Sequence, residues 1–230
     1  MARSQSLFTT VVTSWAVFAG LTRCAPLGAN ATSDATCDCY KAEATSTNFF
    51  DHRKFFDFRD MAGAAVPAPI DGRDQDAGAP LTNAYFSTAE WTDTWGIQTW
   101  PTSGGPVYRV NSPNNVYIEA DTDASPASRT HLTMRTLRQS DYQSTAEFES
   151  KSPQYQYLSV RMLARTQGDG GAVTSMSTYL GGAPVQEADL EIRTDTATNI
   201  AQYTNQPGTV DGEVVPDATH VTTLATPWTD

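Results

Sequence analysis

Residues 186–192 read Gln-Glu-Ala-Asp-Leu-Glu-Ile, an alternation of acidic and apolar side chains that admits few conformations. A period of two is the period of a β-strand, whose successive side chains point to opposite faces. As a strand the segment gathers Glu187, Asp189 and Glu191 on one face and Ala188, Leu190 and Ile192 on the other. The apolar face reads as core. The acidic face crowds three carboxylates into five residues. Like charges so close repel, and burying any of them shifts its pKa or costs stability. That face is the candidate site.

The same period recurs along the chain. Runs with strand-like composition or alternation cover 107–110, 115–119, 131–137, 146–150, 155–164, 172–180, 186–194 and 200–203. Turn formers separate them, among them Ser112-Pro113-Asn114, Gly168-Asp169-Gly170-Gly171 and Gly181-Gly182. No run carries a convincing helical period. Many short strands punctuated by Gly and Pro predict an all-β sandwich or jelly roll. A length of 230 residues is enough for one such domain with a substantial core. Residues 61–81 combine Ala, Gly and Pro with few strand formers and read as a long surface loop.

Faces can be assigned elsewhere. In 155–164, Leu158, Val160 and Met162 point one way and Ser159 and Arg161 the other. Beside the acidic strand, Arg161 would hold the carboxylates ionised. Phe49, Phe50, Phe55, Phe56 and Phe58 read as core or edge packing. Trp91, Trp95 and Trp100 suit core packing and a platform for stacking on sugar rings equally well.

The first residues have the form of an export signal. Arg3 is followed by a mostly apolar stretch over 7–21, with small residues at Val17-Phe18-Ala19. It is too short and too polar to span a membrane, and no other segment is long or apolar enough. The expected organisation is a signal over 1–19, an Ala/Thr/Ser-rich tail over 20–46 with the sequon Asn30-Ala31-Thr32, and a sandwich over 47–230. The net charge of −11 argues against nucleic acid and anionic membrane surfaces and suits a neutral polysaccharide. Cys24, Cys37 and Cys39 make an odd number for an oxidising compartment, which implies a partner outside this chain. Their spacing fits no zinc pattern. His52, His131 and His220 read as isolated surface or strand residues. With no Gly-x-Ser-x-Gly elbow, phosphate loop or His-Glu-x-x-His helix, neither a metal nor a cofactor is expected.

Cleaving a glycosidic bond needs a carboxylate and a carboxylic acid, roughly 5–5.5 Å apart when configuration is retained. At about 3.3 Å per residue the Cα atoms of Glu187 and Glu191 lie roughly 13 Å apart. Strand curvature and two long side chains leaning together can close the gap. Asp189, between them, can share a proton with a neighbour. On the residues alone a solvated face offset by Arg193, a calcium site and a catalytic site all stay open.

Glu187-Ala188-Asp189-Leu190-Glu191-Ile192, behind a Gly-rich turn and the strands of 155–180, resembles the Glu-x-Asp-x-Glu signature of glycoside hydrolase family 16. Cys37-Asp38-Cys39-Tyr40, Phe55-Phe56-Asp57-Phe58-Arg59 and Tyr203-Thr204-Asn205-Gln206-Pro207 resemble a secreted fungal subgroup, so the likeness runs from Cys37 to the end. It implies a concanavalin A-like jelly-roll β-sandwich, incomplete at its C-terminal end because members of the family continue with several more strands. It implies retaining cleavage of β-1,3- or mixed-linked glucan by a secreted monomer, extracellular or in the cell wall, without a cofactor. Glu187 would be the nucleophile, Asp189 the helper and Glu191 the acid/base, with Tyr203, Asn205 and Gln206 as substrate contacts. The rivals are a lectin-like sandwich or inactive fragment, and a transglycosylase acting on cell-wall glucan.

Overall fold

The computed structural model describes the backbone of Val11–Val12 and residues 39–42, 45, 47–102, 107–152, 155, 157–182 and 185–229. Nearly all of the expected leader and most of the tail lie outside the described residues. Among those described, the protein is all-β and sandwich-like, built from several sheets with only short helical pieces. No helix among them is long and apolar enough to cross a membrane.

The core forms where aromatic and β-branched residues converge. Val116–Ala120 pairs antiparallel with Thr130–Met134, so that Val116 faces Met134 and Ile118 faces Leu132. These four side chains pack with Phe58, Phe86, Trp91 and Ala146. A 3₁₀ turn at Ala84–Ser87 and a single helical turn at Ala89–Thr92 deliver Phe86 and Trp91 to that cluster. The Oδ1 of Asn83 caps the first turn by accepting the Tyr85 N–H at 2.9 Å. The rings meet edge to face, with centroids 5.1 Å apart for Phe86 and Trp91 and 5.2 Å for Trp91 and Phe148. Trp91 is therefore core and not a sugar platform, and Trp95 packs against the same cluster. The helical turns are too short to show a period in the sequence, which is why none was expected.

The 61–81 stretch is exposed along most of its length yet pinned from below. Arg135 Nη1 donates to the Pro67 carbonyl at 2.9 Å, Asn114 Nδ2 to Ala68 at 2.8 Å and Gln139 Nε2 to Ile70 at 2.9 Å. It contains a helix, Arg73–Ala77, whose Asp76 is fully buried. The Tyr142 hydroxyl donates to Asp76 Oδ2 at 3.1 Å, and Ser112 Oγ to the Asp76 carbonyl at 2.8 Å.

One stretch ties two sheets together. Gln143–Thr145 runs parallel to Arg109–Asn111. Three residues later Phe148–Ser150 pairs antiparallel with Trp95–Ile97. Ala146 and Glu147 make the crossing, and both are buried.

The C-terminal part is a four-stranded antiparallel meander of Val173–Leu180, Gln186–Arg193, Ile200–Gln206 and Thr219–Thr223, in that spatial order. A small ribbon, Thr209–Val210 with Glu213–Val214, extends from it. Asp211 and Gly212 turn that ribbon at φ of 53° and 85°, the left-handed pair that a tight hairpin asks for.

Two expectations need correction. The 155–164 run is not a strand over its length, and only Ala164–Arg165 pairs. The acidic strand is flanked by 173–180 and 200–206, so Arg161, exposed, has no place beside it. Leu158, Val160 and Leu163 are exposed as well, so the alternation there has no sheet to bury against. Cys39 is disulfide-bonded, and since one bridge takes two cysteines, the odd count of three stands.

Candidate active site

The register of the meander builds the site. Glu187, Asp189 and Glu191 share one face, as their spacing requires, and each stands between two cross-strand neighbours. Tyr179 and Gln206 flank Glu187, Ser177 and Thr204 flank Asp189, and Ser175 and Gln202 flank Glu191. Asp189 is 4% exposed, while Glu187 and Glu191 are half-buried. The opposite face is the more open one. Ala188 is exposed, and Leu190 and Ile192 are only half-buried. The assignment of the apolar face to the core is thus reversed around Asp189. Alternation says which residues share a face, but not which face the rest of the chain covers.

Two glutamines hold the carboxylates. Gln206 Nε2 donates to Asp189 Oδ2 at 3.0 Å, and Gln202 Nε2 donates to Glu191 Oε2 at 2.7 Å. Arg193 has the right parity to offset the acids, but its guanidinium is taken by Asp195, with contacts of 2.8 and 3.1 Å. Among the described residues no cation pairs with Glu187, Asp189 or Glu191. Burial, first, and then the charge of Asp189, a hydrogen bond with it and the charge of Glu191 push the Glu187 carboxyl above its ordinary value. Asp189 is also raised, by burial above all, against the opposing hydrogen bond from Gln206. The pair therefore keeps a proton above the range where free carboxyls lose it. Two buried polar atoms on this face, Asp189 Oδ1 and Ser175 Oγ, have no hydrogen-bond partner.

The six residues singled out from the sequence divide between the two faces. Glu187, Asp189, Glu191 and Gln206 come together. Tyr203 and Asn205 do not, because Tyr203 pairs with Leu190 and Asn205 with Ala188 on the far side of the sheet. Gln202 and Ser175 are the residues that sequence reasoning missed. The parity of 202, 204 and 206 would have found Gln202 once Gln206 was accepted. Ser175 becomes visible only with the register. Among the described residues no cluster of His, Cys, Asp and Glu could hold a metal ion.

No protein-family model, curated protein or solved structure matches this chain.

Buried titratable groups also lie off this face, among them Glu147 and His131. Glu147, 8% exposed, accepts Asn111 Nδ2 at 2.5 Å through Oε2. Burial, and next the charge of Glu149, push its carboxyl up to about 8. His131 is not isolated, since its Nε2 lies 3.4 Å from Glu119 Oε1 on the neighbouring strand.

Proposed function

We propose that the protein is a secreted glycoside hydrolase of the family 16 type, on a concanavalin A-like jelly roll, that cleaves β-1,3- or mixed-linked glucan with retention of configuration. The observation that carries this reading is the shared face of Glu187, Asp189 and Glu191, with an amide donor fixed on each of the last two. In the reaction Glu187, ionised, attacks the anomeric carbon while Glu191 gives its proton to the departing glycosidic oxygen. Water then enters, Glu191 takes its proton, and the hydroxyl oxygen displaces Glu187 from the sugar. Asp189 takes the proton that Glu187 must shed, the two carboxyls already sharing a hydrogen bond. Gln206 fixes the other oxygen of Asp189, and Gln202 fixes Glu191 so that only one of its oxygens faces the leaving group.

The test is release of reducing sugar from laminarin and lichenan by the full chain and by Glu187→Gln. Release by the wild type that the substitution abolishes supports the proposal. Glucan binding without release, unchanged by the substitution, replaces it with a lectin-like role. Products longer than the donor oligosaccharide replace hydrolysis with transglycosylation.

A further inference from the structure

We propose that Ser175 is a glucan-contact residue at the Glu191 end of the acidic face, its hydroxyl hydrogen-bonded only when a sugar lies there; this rests on the glycosidase reading above. Ser175 is 8% exposed, and its Oγ has no partner. Buried hydroxyls in native proteins are almost always bonded, and each exception asks for an explanation. The fold satisfies such a group one residue away. Thr174, buried on the opposite face, accepts the Thr166 hydroxyl at 2.9 Å. On the acidic face Ser175 Oγ is left without such a partner, as is Asp189 Oδ1.

Position points to the ligand. Ser175 stands directly across from Glu191, and side chains so paired start from Cβ atoms about 4.5–5.5 Å apart. Gln202 occupies the other flank of Glu191. Val173–Leu180 is the outer strand of the sheet, so a polysaccharide crossing the strands at Glu191 passes over Ser175 on leaving that side. A sugar ring offers hydroxyls that both donate and accept, and a serine hydroxyl answers either. An apolar side chain would fill the same space without leaving a buried oxygen idle in the free protein.

The experiment titrates a β-1,3-glucan oligosaccharide by calorimetry into the full chain carrying Glu187→Gln, with and without Ser175→Ala. Loss of one neutral hydrogen bond to the ligand raises Kd roughly three- to tenfold. The Tm of Ser175→Ala stays level or rises, because the free protein loses no hydrogen bond. Ser175→Cys, close in volume and a weaker donor, gives a smaller loss of the same sign if the alanine variant does not fold. Thr178→Ala, on the far face, leaves Kd unchanged. Equal affinity with alanine, or with cysteine where alanine does not fold, overturns the Ser175 assignment while leaving the glycosidase reading intact. So does a clear fall in Tm for a folded alanine variant, which would mean that the hydroxyl has a structural partner. Glucan neither bound by the Glu187→Gln protein nor cleaved by the wild type overturns both.

Discussion

Trp91 and Asp189 are buried to nearly the same extent, at 1% and 4% exposure, in surroundings that have little in common. Around Trp91 the chain packs Phe56, Phe58, Phe86 and Phe148 edge to face and Tyr85 and Trp95 at a tilt, which is ordinary apolar burial. Around Asp189 the buried groups on its face are Ser175 and Thr204, while Leu180, Tyr203 and Val221 on the same sheet are about half exposed. The first region gains stability from what it hides. The second hides groups that prefer water and leaves apolar ones outside, an arrangement that costs stability and makes sense where function asks for it. The aromatic region holds the fold, and the meander holds a surface.

Substitutions in the two regions should therefore separate stability from activity. The largest effect is expected from Glu187→Gln. Turnover on β-glucan should fall by about a thousandfold or more, as for loss of a nucleophile, while the urea midpoint does not fall. A drop in both would mean that the acidic face supports the fold. Trp91→Ala should do the reverse, removing about 3–5 kcal/mol of stability in urea titrations, with residual activity tracking the folded fraction.

A pH effect belongs to the crossing between the two small sheets. Glu147 keeps its proton in the fold up to about 8, against 4.5 for a free glutamate side chain, so between those values the folded state binds more protons than the unfolded one. Stability must then fall as pH rises through that window, by at most about 1.4 kcal/mol per pH unit. The raised Glu187 and Asp189 carboxyls act in the same direction. Urea titrations between about pH 5 and about pH 8 should show the decline, and Glu147→Gln should flatten it. A wild-type slope of the opposite sign would refute the burial of a protonated Glu147.

Smaller still is Gln206→Leu. It strips Asp189 of its donor and the Gly208 N–H of an acceptor held at 2.8 Å, and should cost about 1–3 kcal/mol and about tenfold in turnover. The smallest effect is expected from Tyr203→Ser and Asn205→Ala, which should change turnover by less than about twofold, since both lie behind the sheet and surface changes act weakly. A tenfold loss from either would put the cleft on the wrong face.

Local pattern carried a good part of this into the sequence. Alternation located three of the four strands of the meander, and spacing placed the three acids together. The edges of pattern reasoning show where it stopped. Leu158 and Val160 alternate like a strand but have nothing to pair with. The strand Thr219–Thr223 was passed over because polar β-formers mark a strand only when a neighbour supplies the ladder. Tyr203 and Asn205 were grouped with Gln206 by adjacency, whereas the pleat separates odd from even. Gln202 and Ser175 belong to the site through partners on other strands, and no single segment can reveal cross-strand pairing.

The pinned stretch over 61–81 bears on handling of the molecule. Its composition invites the view that a protease would open it first, since exposed Ala, Gly and Pro are common cleavage ground. Yet the carbonyls of Pro67, Ala68 and Ile70 and both ends of Asp76 are held by side chains from the strand region beneath, so the backbone there cannot lift into an enzyme's groove without breaking several of these bonds. Limited digestion should spare this segment and leave it attached to the aromatic half as one resistant fragment.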